Sequence, residues 1–371
     1  MSDVALPGQG TSRRRLLVVC SAIGLLTAIV AVSPLGAYLD RVGIDLLQPL
    51  RMALHPPPSL DPVQSPVAIV AIDEESYAAL GNFPKVVWTP WLAAVIEALL
   101  AAKVKVIGLD IVFPTTLDTF VFEGKRPLQG IDIPFLQALS DAAEDHHILL
   151  GYTNAAGSYI APDPSQLAAA DGPANLASLN FELDADGVVR SYPASLPAAD
   201  GSDAVPSMAF ALAQRAGITP PDRGLLVDFA YGPGHIPVYS LADLLACANA
   251  HKDAFFAQHF AGKSVILGEV LDQEDRYFTS ASLMSVGRRQ VLPPSTQPRC
   301  IPSAQGAVPI SFAGRWKIPG VYVHAAALQN LALGTAIAPL PRLPAALAVG
   351  LIAFGAALGF YAVSPLIGAG A

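Results

Sequence analysis

Four acidic side chains stand where predicted buried strands end, and they are the residues of this sequence best placed to bind a ligand. They are Asp73, Asp110, Glu269 and Asp272. In an open parallel sheet, ligands bind outside the carboxyl ends of the strands. Carboxylates gathered there could bind a cation, or accept hydrogen bonds from a hydroxyl or an amine. The sequence also allows each acid to cap the turn or helix that follows it, or to pair with a nearby arginine.

The sequence lacks the common catalytic and cofactor-binding motifs. It contains no GxxxxGKS/T phosphate loop, no GxGxxG after the first predicted strand, no GxSxG and no HExxH. His251 and His259 are eight positions apart, whereas a metal-binding pair on a helix prefers a spacing of about four. We therefore expect no enzymatic activity within these residues, no cofactor and no bound metal.

The three cysteines divide between two environments. Cys20 lies within an apolar stretch, whereas Cys247 and Cys300 lie in mixed sequence far from it. In an oxidising compartment Cys247 and Cys300 could form a disulfide. Because the two cysteines belong to no motif, the alternative that both remain free thiols stays open. The absence of a CxxC pair gives no support to a zinc ribbon or a thioredoxin-like site.

Two apolar stretches near the ends of the chain are long enough to cross a membrane. Residues 16–39 and 343–371 carry no charge, and about 20 apolar residues suffice for a spanning helix. Three consecutive arginines precede the first stretch, and positive residues beside a membrane helix tend to stay in the cytoplasm. We therefore expect residues 1–15 inside and residues 40–342 outside. A cleaved signal peptide is the alternative interpretation of the first stretch.

Composition and charge exclude several classes of protein. The 371 residues are 53% hydrophobic and only 14% charged, against about 25% charged in a typical domain. This composition rules out disordered, fibrous and coiled-coil proteins. The net charge of −8 does not suit nucleic-acid binding, which needs lysine and arginine at the phosphates. The partner that the apolar stretches predict is the lipid bilayer.

The region between the apolar stretches alternates short β-branched runs with helical segments. This order predicts an α/β domain with a mostly parallel sheet and helices on both faces. Asp186-Gly187 predicts the turn of a β-hairpin over residues 180–193. Residues 281–319 are rich in proline and are predicted to be irregular. Buried strands are predicted at 66–73, 104–113, 147–153, 225–232 and 264–270.

Seven segments between the apolar stretches follow one another in a recognisable order. They are VAIVAIDEESYAALGNFP (67–84), VIGLDIVFP (106–114), DADGVVRSYP (184–193), PSMAFALA (206–213), SVILGEV (264–270), DRYFTS (275–280) and GVYVHAAALQNLALG (320–334). Taken with its membrane context, this series resembles the CHASE2 domain, an extracytoplasmic sensor module of bacterial receptors. The resemblance covers roughly residues 40–340.

The resemblance implies a sensor domain anchored in the bacterial cytoplasmic membrane, with its main part outside. CHASE2 domains stand ahead of adenylate or diguanylate cyclases, histidine kinases or serine/threonine kinases. Family members usually carry three membrane helices after the sensor, whereas one apolar stretch follows it here. We therefore expect either the input half of such a receptor or a form that works through a partner. The resemblance supplies no ligand-binding residues, so the stimulus is an unidentified small molecule or envelope component.

A competing hypothesis is a structural subunit that binds another envelope protein. A pocket that contains Asp73 and Asp110 would favour sensing over a flat interaction surface. One pair of membrane helices has little leverage alone, so we expect a homodimer in which two domains reorient.

Overall fold

The computed structural model describes residues 9–54, 61, 63–119, 121, 124, 128–155, 158–197, 204–231, 235–271, 273, 275–280, 299–301 and 317–368. The chain divides into two compact units. One is formed by Met1–Leu47 with Pro339–Ala371, and the other by Gln48–Ala338.

Helices and strands alternate through most of the chain. The helices are α1 Gln9–Ala31, α2 Pro34–Leu54, α3 Glu74–Ala79, α4 Thr89–Ala101, α5 Ile133–Glu144, α6 Pro164–Ala169, α7 Met208–Arg215, α8 Leu241–Asn249, α9 Asp253–Phe260, α10 Gly320–Leu333 and α11 Arg342–Gly368. The strands are β1 Val67–Ile72, β2 Val106–Asp110, β3 Ile148–Ala155, β4 Ser158–Ile160, β5 Leu176–Ser178, β6 Val188–Val189, β7 Ser191–Tyr192, β8 Ser195–Leu196, β9 Val205–Pro206, β10 Leu225–Leu226, β11 Val238–Ser240, β12 Ser264–Glu269, β13 Arg276–Thr279 and β14 Lys317–Pro319.

Two helices of the first unit are long and apolar enough to cross a membrane. The qualifying spans are Arg14–Ala31 in α1 and Arg342–Tyr361 in α11. The sequence predicted one helix over 16–39, but α1 ends at Ala31 and α2 begins at Pro34. Proline has no amide hydrogen and its ring clashes with the preceding helical turn, so it starts a new helix here. The Ser33 hydroxyl accepts a hydrogen bond from the Gly36 amide at 3.3 Å and caps that new helix.

Helices α1 and α11 pack together at two glycines. A Cβ at Gly24 would lie 2.8 Å from the Gly350 carbonyl oxygen, and a Cβ at Gly350 would lie 2.8 Å from that of Gly24. Small residues let two apolar helices bring their backbones close, which is the usual packing device in a membrane. A side chain at either position would force α1 and α11 apart.

The second unit confirms the predicted α/β class. Its main sheet has the strand order β11-β1-β12-β2-β3-β4, with β5 also paired to β3. Strands β11, β1, β12, β2, β3 and β5 pair in parallel, and β4 turns back as an antiparallel hairpin on β3. Helices α4, α5, α8 and α9 pack on one face of the sheet, and α7 and α10 pack on the other.

One strand prediction differs from the structure, and one edge strand was not predicted. The segment 225–232 was predicted as one strand, but only Leu225–Leu226 is extended, and Phe229–Tyr231 forms a turn of 3₁₀ helix. The side chain of Asp228 bonds locally to the Ala230 amide at 3.1 Å, which bends the chain away from the sheet. The edge strand beside β1 is instead Val238–Ser240, which is too short to stand out by hydrophobic pattern.

The hairpin predicted over 180–193 is present only as its turn. The Gly187 amide donates to the Asp184 carbonyl at 2.8 Å, and the Asp184 amide donates to the Val188 carbonyl at 3.1 Å. Residues 180–184 form no strand, and β6 pairs in parallel with β13 instead. The Arg190 guanidinium donates to Asp184 and Asp186 at 2.7 and 2.9 Å, which holds the turn closed.

A disulfide joins α8 to the segment 299–301. Cys247 and Cys300 are bonded, with their Cα atoms 5.7 Å apart. The same segment is held by Asp243, which accepts from the amides of Cys300 and Ile301 at 3.0 and 3.1 Å. Arg299 also forms a bidentate ion pair with Glu75 of α3. Residues 299–301 are therefore fixed against α8 and α3.

We predict that oxidised, folded protein contains this bond and loses stability without it. After denaturation in alkylating reagent, mass measurement should find only Cys20 modified, and prior reduction should expose all three cysteines. A chain-entropy estimate for a loop of 53 residues gives at most about 4 kcal/mol of lost unfolding free energy on reduction. Three modified cysteines in unreduced protein would show that the bond does not form.

Candidate functional site

A cavity of about 190 Å³ opens at the carboxyl ends of β2 and β12. These strands are neighbours in the sheet, so residues from their ends share one site. Acidic, hydroxyl, aromatic and apolar side chains line it together with one histidine: Asp110, Thr153, Leu179, Phe181, Glu269, Asp275, Tyr277, Gly320, Val321 and His324. A protein cavity of about 150 Å³ accepts benzene, so this one has room for a small organic molecule.

A glycine in β12 makes room for the acid of β2. Asp110 is the last residue of β2 and lies opposite Gly268. A Cβ at position 268 would lie 2.9 Å from the Asp110 Cβ and 2.8 Å from the Val321 Cγ2 of α10. Because glycine has no Cβ, α10 and the Asp110 side chain can both lie over the sheet at this point.

His324 of α10 faces the cavity in a defined tautomer. Its Nδ1 lies 2.6 Å from the Tyr192 hydroxyl oxygen, which also accepts from the Ala209 amide at 3.0 Å. We assign the tyrosine hydroxyl as the donor to Nδ1, which places the imidazole hydrogen on Nε2. Burial lowers the pKa of His324 to about 3, against a smaller opposing effect of the Leu179 carbonyl. The ring is thus neutral, with Nε2–H placed 3.6 Å from Asp110 Oδ1.

Asp110 is a largely buried acid, with its side chain 14% exposed, and its ionised form is disfavoured. Burial raises its pKa well above the ordinary value, and repulsion from Glu269 raises it further. Glu269 itself pairs with Lys85, which precedes α4. The protonated form of the Asp110 carboxyl group is therefore favoured, and nearby positive charge or hydrogen-bond donors would favour its ionised form.

Aromatic rings form one wall of the cavity. The Phe181 ring centre lies 4.6 Å from that of Tyr277 and 4.5 Å from that of His324. Burial and the nearby acids Asp275 and Asp110 raise the pKa of Tyr277 to about 12, so its hydroxyl stays protonated. This wall offers ring faces and a hydroxyl beside the acids.

The four predicted acids have different positions in the structure. Asp110 and Glu269 line the same cavity. Asp73 instead caps α3, because its carboxylate accepts from the amide and hydroxyl of Ser76 at 2.9 and 2.6 Å and from the Ser240 hydroxyl at 3.0 Å. Burial raises the pKa of Asp73, and these hydrogen bonds oppose the rise. Asp272 lies outside the described residues.

Among the cavity residues that were not predicted, three are titratable: Asp275, Tyr277 and His324. Asp275 and Tyr277 lie in the DRYFTS segment, and His324 lies in the GVYVHAAALQNLALG segment, both of which were noticed only as family-like patterns. A histidine among apolar residues on a helix is the signal that could have pointed to α10. Within the described residues, no group of three or more His, Cys, Asp or Glu side chains could hold a metal ion.

A second polar cluster, here called the Asp228 cluster, joins α10 to the end of α2. It consists of Gln48, Arg51, Asp228 and Asn330. Asp228 is fully buried and accepts from Gln48 Nε2 at 3.0 Å, and its carboxylate pairs with Arg51 at 2.9 Å. The Asn330 amide group binds the Asp228 backbone on both sides, at 2.8 and 3.2 Å. One acid therefore fixes two helices that lie far apart in sequence.

Comparison with known proteins gives one finding. A family model described as the CHASE2 domain matches residues 21–361, nearly the whole chain. No curated protein and no solved structure matches.

Replacing Asp110 with asparagine should stabilise the protein near neutral pH by about 1 kcal/mol. The folded-state pKa of Asp110 is raised, so its contribution to stability is fully present below the unfolded-state pKa of about 3.9 and is lost as the pH rises through the folded-state pKa. Urea unfolding at a series of pH values should show this fall in wild type and not in D110N.

The matched control is D163N, which removes an acid that caps α6 and touches no cavity residue in the described contacts. D163N should keep the wild-type fall in stability with pH. A D110N profile parallel to that of wild type would contradict the electrostatic description of the cavity.

Proposed function

The chain belongs to the CHASE2 family of extracytoplasmic sensor domains, and on this premise we propose that it is the sensing part of a bacterial transmembrane receptor. Its stimulus acts at the cavity between β2 and β12, and the response passes to the membrane helices α1 and α11. From there it reaches an output domain or a partner, for which an adenylate cyclase is one candidate. The receptor works as a homodimer, and the chain itself catalyses no reaction.

The observation that carries the proposal is that α10 touches both the cavity and the Asp228 cluster. His324 lines the cavity and Asn330 binds Asp228. The two residues are six positions apart, which is about 9 Å along a helix. A ligand that moves or fixes His324 therefore acts on the same rigid element that holds the end of α2.

Both connected helices continue in sequence toward the membrane spans. α2 follows α1 after two residues, and α11 follows α10 after a short connection. A ligand shifts such an arrangement only by binding one state more tightly than another. The difference in ligand affinity between the two states would act on the Asp228 cluster. The Asp228 carboxylate binds donors from α2, and the Asp228 backbone binds Asn330 of α10.

Topology is the first test. Reporter enzymes that are active only outside the cytoplasm should be active when fused after Gly217 and inactive when fused after Ala371. A cytoplasmic reporter should give the reverse pattern. Both fusion positions on the same side of the membrane would contradict an extracytoplasmic sensor held by two spanning helices.

Coupling is the second test, and hydrogen exchange of the full chain in lipid nanodiscs measures it without a ligand. D110N perturbs the cavity and should change protection of residues 48–54 by about fivefold or more. In a D228N background, which weakens the Asp228 cluster, the same D110N change should be lost.

A D163N background is the matched control and should retain the D110N effect on residues 48–54. The double-mutant comparison measures the energetic coupling between the cavity and the Asp228 cluster. The positions of the residues in the structure do not by themselves show such coupling. Two results would refute transmission through the Asp228 cluster. One is unchanged protection of residues 48–54 in D110N, and the other is an equal effect of D110N on that protection in the D228N background.

A further inference from the structure

We propose that the cavity between β2 and β12 binds a small organic ammonium ion that carries a hydrogen-bond acceptor next to its amine. The inference rests on the proposed sensor function and names the chemistry of its ligand. The ammonium group binds the Asp110 carboxylate, the acceptor binds His324 Nε2–H, and the apolar part lies against the aromatic wall.

The charge of the lining favours a cation. Three acids line the cavity, Asp110, Glu269 and Asp275. The lysine beside them, Lys85, pairs with Glu269. Arg276 Nη2 donates to the carbonyls of Val270 and Leu271 at 3.2 and 3.1 Å. An ammonium ion would offset the repulsion between Asp110 and Glu269, whereas a carboxylate or phosphate would add to it.

A buried hydrogen-bond donor in the cavity shows that the ligand needs an acceptor as well as a positive charge. His324 is 1% exposed, and its Nε2 forms no hydrogen bond of ordinary geometry among the described residues, although the Leu179 carbonyl is near enough to act on the ring. Asp110 Oδ1, at 3.6 Å, is beyond ordinary hydrogen-bond length. A buried donor without a partner is costly, so a ligand that supplies an acceptor here gains affinity. An ammonium group has only donors, and the acceptor must therefore come from a neighbouring atom of the ligand.

The aromatic wall accounts for the rest of the ligand. Phe181 and Tyr277 present ring surface beside the acids, and ring faces attract cations as well as apolar groups. The volume of about 190 Å³ limits the ligand to roughly one ring with a short polar side chain. We therefore use 2-amino-1-phenylethanol as the probe.

Binding to the full chain in nanodiscs, measured by calorimetry, tests each element. We expect 2-amino-1-phenylethanol to bind at least about tenfold tighter than 1-phenylethane-1,2-diol, which lacks the charge, and severalfold tighter than 2-phenylethylamine, which lacks the acceptor. D110N should weaken binding of the amino alcohol at least about tenfold, while D163N should not change it. In H324F the advantage of the hydroxyl over 2-phenylethylamine should disappear.

Proton release gives a readout that a merely structural role would not produce. A bound ammonium ion favours ionised Asp110, so binding should release a proton to the buffer and tighten as the pH rises toward the raised pKa of that acid. The titratable groups around Asp110 are Glu269, Asp275, Tyr277 and His324 in the cavity lining and Tyr192 behind His324. H324F should retain the release while D110N abolishes it. Calorimetry in two buffers of different ionisation enthalpy measures the released proton.

Three results would overturn the inference: equal affinity for the diol and the amino alcohol, unchanged binding in D110N, or no binding of any probe at about 10 mM. The exchange experiment on residues 48–54 uses no ligand, so the sensor proposal stands or fails separately. Coupling without amine binding would leave the sensor and reject its ligand class. Amine binding without coupling would leave the site and reject the transmission route.

Discussion

A buried helix with polar side chains is the constraint on which the second unit depends. Every residue of α10 from 321 to 331 is buried, so its polar side chains cannot be satisfied by water. Each must find a protein partner or remain at a cost of about 1–3 kcal/mol. His324 meets Tyr192 of β7, Gln329 accepts from Ser65 before β1 at 3.2 Å, and Asn330 meets Asp228. These hydrogen bonds position α10 against three separate parts of the chain. His324 Nε2 is left on the side of the cavity.

Continuous apolar runs made much of the central fold predictable. Strands β1, β2 and β12 lie within the predicted segments, and β3 begins in its predicted segment and ends two residues beyond it. These strands were predictable because buried strands carry a strong apolar pattern. The short edge strand β11 carries too little pattern to predict. The two-residue strands β6, β7 and β10 lie within segments predicted to be extended, but their short length and their pairing were not predicted. Their positions depend on pairing partners that lie far away in sequence.

The candidate site was predictable only in part, and Asp73 and Asp110 show why. Both acids stand at the carboxyl ends of parallel strands, and the strand pattern alone favours them equally as ligand-binding residues. Ser76 follows Asp73 closely enough to make it a helix cap, a local relation that the sequence contains. The environment of Asp110 is made by Glu269 and His324, which enter from β12 and α10. Contacts of such long separation leave no local pattern, so Asp275, Tyr277 and His324 were missed.

The glycine contact between α1 and α11 has a consequence for biosynthesis. Gly24 and Gly350 pack backbone to backbone, yet nearly the whole second unit is translated between them. At ribosomal speeds of about 5–20 residues per second, roughly 15–65 s separate the emergence of the two helices. During that interval α1 has no α11 to pack against, so the helix surface at Gly24 must contact something else. The two apolar helices therefore pair in an obligatory order, in which α1 waits for α11.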